Sequence, residues 1–156
     1  MSFIRRANEN DIQDVTKLLY QVNEIHHIGR PDLFKTHNVK YKVDELRKIL
    51  VNDKTPVFVY EENGRVVGYV FGIVKEPDPD FAVPTARTFY IDDICVDEGE
   101  RGKHIGRKLC DYAVEYAKSI GCYNVTLNVW MCNPSALKFY EGYGFAPQKI
   151  GMEIIL

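Results

Sequence analysis

The sequence is poor in cysteine, and its few cysteines are not arranged for structural chemistry. Cys95, Cys110, Cys122 and Cys132 contain no Cys-x-x-Cys pair, and a zinc or redox centre needs closely spaced partners. They read as small, reduced, buried hydrophobes. A secretory leader pattern is missing, as is any apolar run of bilayer length, so a cytoplasmic protein with no membrane partner is expected. No charge of one sign dominates: 20 Lys and Arg stand against 22 Asp and Glu, a net charge of −2. That removes the basic footprint of a nucleic-acid binder. Internal repeats, low-complexity tracts and a domain linker are absent too.

What is present is an ordinary globular balance, 46% hydrophobic and 27% charged over 156 residues. This length suits one domain, residues 1–156, with a core of its own. Phe3 to Arg6 reads as a strand, and Asn8-Glu9-Asn10-Asp11 offers capping oxygens to a helix with Ile12, Val15, Leu19, Val22 and Ile25 on one face. The apolar period lapses from His26 to Tyr41, then Val43, Leu46, Ile49 and Leu50 restore it. Asn63-Gly64 between Val57–Glu61 and Val66–Val74 is a hairpin signal. A Pro-rich loop with Pro77, Pro79 and Pro84 leads to a fourth strand, Thr88 to Val96, with Asp92 and Asp93 at its middle. Ile105, Leu109, Tyr112, Ala113, Tyr116 and Ile120 mark a long amphipathic helix that Gly121 stops. Val125 to Trp130 reads as a fifth strand, Asn133-Pro134 opens a short helix through Tyr140, and Ala146 to Leu156 reads as closing strands. An exposed edge there leaves a homodimer open.

The turn between the fourth strand and the long helix carries chemistry. A helix start leaves N–H groups unpaired and forms an anion site, and Arg101, Lys103 and Arg107 add positive charge. Alone, such a turn is also what a tight strand-to-helix connection looks like.

Val96-Asp97, then Arg101-Gly102-Lys103-His104-Ile105-Gly106-Arg107-Lys108-Leu109, with Asn133-Pro134-Ser135-Ala136-Leu137-Lys138-Phe139-Tyr140-Glu141-Gly142-Tyr143-Gly144-Phe145 downstream, resembles the GNAT family of N-acetyltransferases over nearly the whole chain. The resemblance implies a mixed α/β (α+β) fold. Its sheet would have six or seven strands, mostly antiparallel and twisted, with strands 4 and 5 a parallel, splayed pair, flanked by about four helices. It implies acetyl-CoA as co-substrate, held by Arg101, Gly102, Lys103, His104, Ile105, Gly106 and Arg107, by the backbone of Ile94, Cys95 and Val96, and by Asn133, Ala136 and Phe139. His104 stands where the family pattern has its first glycine. Helical dihedrals at that position would tolerate the side chain; a positive φ would strain it, and the first is expected.

A primary amine near pKa ~10.4 is only on the order of one part in a thousand neutral at pH 7, a handicap of roughly 4 to 5 kcal/mol, so a base or a desolvating site is required. Strand alternation sends Asp92 and Asp93 to opposite faces, Asp92 with Ile94 and Val96. By similarity to polyamine acetyltransferases Asp92 is the candidate base, acting through water. Tyr140 is the candidate general acid toward the coenzyme A thiolate. Asn128 occupies the place of a glutamate base in members that acetylate protein N-termini and cannot accept a proton at neutral pH. The expected acceptor is a primary amine of a small molecule, polyamine-like or otherwise cationic, enclosed by residues 25–41 and 75–87, with Asp78, Asp80, Asp92 and Asp93 as an acidic mouth. A protein or peptide acceptor and a non-catalytic coenzyme A sensor are the alternatives. His26, His27, Arg30, Asp32 and His37 have no metal-like spacing, so no metal is expected.

Overall fold

The computed structural model describes residues 1–80 and 86–156. Strand β1 (Ser2–Arg6) leads into a 3-10 turn capped by the Asn8 side chain, whose partner in the cap is Asp11. The Arg5 guanidinium forks onto both Asp11 oxygens at 2.8 Å, which permits an acid to be buried there. Helix α1 (Ile12–Gly29) follows, then α2 (Val43–Leu50), β2 (Val57–Glu62) and β3 (Arg65–Lys75). Asn63 and Gly64 both have positive φ, 51° and 79°, the backbone of a tight hairpin turn. The chain continues through β4 (Thr88–Val96), α3 (Ile105–Ser119), β5 (Asn124–Leu127) and α4 (Pro134–Tyr143).

The sheet order is β1-β2-β3-β4-β5, antiparallel at every junction except the parallel pair β4–β5. Each sheet face buries its own core. Val15, Leu19 and Leu46 of α1 and α2 pack on Val59, Tyr69 and Phe71, while Leu109 and Ala113 of α3 pack on Val67, Val70, Phe89 and Ile91. The period of α3 read from sequence is the one that is buried, through Ile105, Leu109 and Ala113. Cys95 and Cys110 are buried free thiols, and Cys122 and Cys132 are partly exposed.

Three expectations change. Helix α1 runs past His26 to Gly29, since buried contacts earlier in the helix let its last turn form without an apolar stripe of its own. Strand β5 stops at Leu127, because β4 turns away from it. The sheet has five strands among the described residues, not six or seven: residues 146–156 are exposed and form no strand with any described residue. No helix among the described residues is long and apolar enough to cross a membrane. Residues 81–85, including Pro84 of the expected acceptor loop, lie outside the described residues.

Candidate active site

Asp92 is where the β3–β4 ladder slips. Phe71 faces Asp93, but the next residue, Gly72, faces Ile91, so Asp92 is the extra residue of a β-bulge. A bulge reverses the side-chain alternation beyond it. Phe89 and Ile91 face α3 before the bulge, and Ile94 and Val96 do so after it. Asp92 therefore does not share a face with Ile94 and Val96, nor lie opposite Asp93. Both acids turn to the α1–α2 side. There the Tyr41 hydroxyl donates to Asp92 Oδ2 at 2.5 Å and the Tyr69 hydroxyl donates to Asp93 Oδ2 at 2.9 Å. Gly72 fits the bulge because a Cβ there would lie 2.1 Å from Phe89 Cζ.

The two acids differ in their surroundings. Lys40 Nζ lies 2.9 Å from Asp92 Oδ1 and donates to the Asp92 carbonyl at 3.1 Å, so both oxygens of that carboxylate already hold a donor. Burial pushes Asp93 up to about 6, with the Asp92 charge adding to it and Lys40 and the Tyr69 hydrogen bond opposing it. Desolvation comes first among these causes, as for any carboxyl taken out of water. Lys40, Tyr41 and Tyr69 were not singled out in the sequence. The available signal was Gly72 within a strand opposite two acids, since a strand glycine marks a bulge or a close approach.

The β4–β5 pairing covers only Thr88 to Ile91. Asp92 to Val96 thus present a backbone edge with no β5 partner, which is the splay that the family resemblance implied. Beyond it, the N–H groups from Arg101 to Arg107 donate to no described residue; the first helical bond is Lys108 N–H to the His104 carbonyl at 3.1 Å. Consecutive unpaired N–H groups at a helix start favour an anion. The basic side chains are already engaged. Lys103 pairs with Glu100, Arg101 Nε donates to the Val96 carbonyl at 3.4 Å, and Arg107 stacks 5.3 Å over the Tyr143 ring. The backbone supplies a row of free donors beside what these side chains leave unused.

His104 has φ 61° and ψ 20°, which corrects the expectation of helical dihedrals. The chain must reverse between the extended Arg101 and the first turn of α3, and a left-handed residue makes that reversal. Gly102, with φ 84°, makes the other left-handed step. Gly106 and Phe139 are brought together: a Cβ on Gly106 would meet Phe139 Cζ at 3.3 Å. This seats α4 against the loop. The Asn133 side chain accepts from Ala136 N–H at 3.2 Å as the N-cap of α4, the helix that Asn133-Pro134 was expected to open. Tyr140 packs between Phe139 and Phe145 at ring distances of 5.3 and 5.8 Å. Its hydroxyl bonds to no described residue, and burial, with Cys110 and Asp93 nearby, raises its pKa well above the ordinary phenol value.

The features of the site are the unpaired backbone edge of Asp92 to Val96, the N–H row that opens α3, and a half-buried Tyr140 that feels the Asp93 charge. A family model described as the acetyltransferase (GNAT) family matches residues 20–145. The chain belongs to the acetyltransferase (GNAT) family. It is an acyl-CoA-dependent N-acetyltransferase, and its relatives are named as N-acetyltransferases. It is similar to the glucosamine 6-phosphate N-acetyltransferase of Trypanosoma brucei brucei, 26% identical over 98% of this chain and 95% of that one. A shorter match, 36% identical over 40% of each chain, is to the Arabidopsis thaliana enzyme of the same name. The thialysine N-epsilon-acetyltransferase of Mus musculus is 26% identical over 90% of this chain and 82% of that one. Among solved structures, a tetramutant of the BH1408 protein from Bacillus halodurans aligns with a TM-score of 0.93 at 29% identity, covering 99% of both chains.

In this GNAT acetyltransferase the residues expected to enclose the acceptor are tied down. His27 Nδ1 donates to the Phe34 carbonyl at 2.5 Å, Arg30 grips Asp32 at 2.8 Å, and Glu24 accepts from His37 N–H at 2.7 Å. These bonds, made within the connection or back to α1, bring Lys40 and Tyr41 over Asp92. Asp78 and Asp80 lie on an exposed loop.

Proposed function

We propose that this chain transfers the acetyl group of acetyl-CoA directly to a primary amine of a small, cationic molecule. Acetyl-CoA, when bound, supplies an acetyl thioester. The unpaired backbone of Asp92 to Val96 suits amide groups that need strand-like partners, and the N–H row from Arg101 to Arg107 suits phosphates. The residues present fit that co-substrate without a basic side chain having to be freed.

One observation carries the acceptor assignment: the Lys40 ammonium sits on Asp92. A site that holds one primary ammonium at this carboxylate is shaped to hold another in exchange. Asp92, the carboxylate offered as base by the sequence, then docks the acceptor ammonium. Asp93, pushed up to about 6, accepts its proton, because a base works best when its pKa lies near the working pH. Tyr140 returns a proton to the departing thiolate. The folded connection over Asp92 narrows the approach and favours a small acceptor over a protein tail. Relatives named for glucosamine 6-phosphate and thialysine support an amine of modest size. Asn128, whose Nδ2 donates to the Tyr90 hydroxyl at 3.3 Å, offers no base in the protein-N-terminus manner.

The test is free-thiol release from acetyl-CoA across a panel of mono- and polycationic amines, amino sugars and peptides. Asp92→Asn is expected to raise KM for cationic amines, and Asp93→Asn to lower kcat and remove the acid limb near pH 6. Turnover with peptides alone would overturn the small-molecule reading, and no turnover in the parent enzyme would make the chain a coenzyme A sensor.

A further inference from the structure

Lys40 is a primary amine fixed where an acceptor amine would have to stand. It lies on the connection between α1 and α2, and its neighbour Tyr41 anchors that stretch twice. The Tyr41 hydroxyl donates to Asp92 Oδ2 at 2.5 Å, and the ring stacks on Phe71 at 5.6 Å. Lys40 Nζ is thereby brought to Asp92, 2.9 Å from Oδ1 and donating to the backbone carbonyl at 3.1 Å. Asp92 is the first residue of the β4 edge that β5 leaves unpaired, so the nitrogen stands at the end of that edge. Its charge also reaches Asp93, where it opposes the effect of burial.

The contact can open. The Lys40 side chain keeps 45% of its surface exposed, and an ion pair that is half in water is weak enough to break during a reaction. Other lysines are placed differently. Lys17 pairs with Asp14 and Lys118 with Glu115, each three residues away on its own helix, and their side chains are exposed by 66% and 67%. A reagent acting from solution reaches those two before Lys40, whereas a reaction that needs Asp92 and Asp93 selects Lys40.

We propose that Lys40 is itself an acetylation site, modified by its own chain when acetyl-CoA is bound and no free amine holds Asp92. This rests on the reading of Asp93 and Tyr140 as base and acid of the transfer. One ammonium proton passes to Asp93, and the neutral Nζ attacks the thioester carbonyl carbon. The carbon–nitrogen bond forms, the carbon–sulfur bond breaks, and the sulfur takes a proton from Tyr140. The nitrogen then gives up its second proton, which restores Tyr140, and Asp93 releases the first to water. Amine and machinery belong to one chain, so the step is unimolecular in the loaded protein. The amide product carries no charge, so the ion pair with Asp92 is lost and each chain is modified once.

The full chain, incubated with acetyl-CoA and no amine, should gain the mass of one acetyl group, mapped to Lys40 by peptide mass spectrometry. The rate constant should not change with protein concentration, and Tyr140→Phe should slow it by on the order of 10². Lys40→Arg should take up acetyl only at the background rate of the other lysines. Label spread over Lys17 and Lys118 as readily as Lys40, a rate constant that rises with protein concentration, or equal labelling of Lys40 in Tyr140→Phe overturns the proposal. Free-thiol release with the amine panel, run in parallel, separates the two readings. Turnover of free amines with Lys40 unlabelled overturns self-acetylation and leaves the proposed function standing, while neither turnover nor label overturns both.

Discussion

Asp92 and Asp93 are neighbours in a strand and yet lie on one face, held by hydroxyls from Tyr41 at 2.5 Å and Tyr69 at 2.9 Å. Regular alternation would have put one of these carboxylates against Phe89 and α3, where no donor waits and an unpaired charge costs several kcal/mol. The slip between Phe71 and Gly72 avoids that cost. It also concentrates two negative charges beside the β4 backbone edge that β5 leaves unpaired, so the same irregularity makes the carboxylate pair and opens the strand edge next to it.

The pair makes stability depend on pH through Asp93. Its folded pKa is raised from 3.8 to about 6, so between those values the folded state holds more proton than the unfolded state. The contribution is fully present below the unfolded pKa and is lost as pH rises through about 6. Over that window the parent should lose about 2 kcal/mol relative to Asp93→Asn. Urea unfolding of both proteins at pH 4.5 and 7.5 measures it. A parent-minus-variant difference that does not change between the two pH values would contradict the assignment.

Tyr140→Phe should leave coenzyme A affinity within about twofold while lowering kcat by on the order of 10² or more, the usual size of a general-acid contribution. The phenol has no hydrogen bond to give up, as its hydroxyl meets no described residue, and burial keeps it protonated at every working pH. The ring packing against Phe139 and Phe145 is retained in the variant. Calorimetry with coenzyme A and steady-state rates together separate lost chemistry from lost binding.

The parts of the fold that rest on near neighbours in sequence were legible. The Asn63-Gly64 turn, the stripe of α3 and the Asn133 cap each depend on contacts within a few residues. The bulge was not, because it is a relation between Gly72 and Ile91, set by how two strands register across the sheet. The exposed tail was not either, since its alternation is that of a strand and only three dimensions show that no described strand pairs with it. Lys40 reaches Asp92 across 52 positions from a connection whose sequence carries no period. The donor side of the site was readable for a related reason: N–H groups at a helix start follow from backbone geometry, whatever the side chains are.

Gly72→Ala should destabilise by about 2 to 3 kcal/mol, the upper part of the usual range for overpacking a core. The new methyl would stand 2.1 Å from the Phe89 ring, and Phe89 is fully buried between the sheet and Tyr116 of α3. The ring cannot yield without moving Tyr116. Combining Gly72→Ala with Phe89→Leu should recover part of the loss. Thermal unfolding of the four proteins closes the cycle, and independent, additive effects would show that the contact is not the cause.

His104→Gly tests whether the loop needs a side chain or only a conformation. A non-glycine residue at φ 61° carries a strain of roughly 1 to 2 kcal/mol, which glycine removes. Glycine also gains freedom in the unfolded chain, worth about 0.4 to 1 kcal/mol in the opposite direction. The imidazole makes no capping hydrogen bond, so nothing else is lost. The net expectation is a gain of about 0.5 kcal/mol and a small rise in Tm. Coenzyme A affinity should be unchanged, because the N–H groups from Arg101 to Arg107 keep their places. His104→Val asks the same question from the other side: a β-branched residue is the worst fit to positive φ, and the loop should then lose stability and coenzyme A affinity together. If His104→Gly weakens coenzyme A binding tenfold while stability rises, the imidazole itself touches the phosphates and the backbone is not the sole donor.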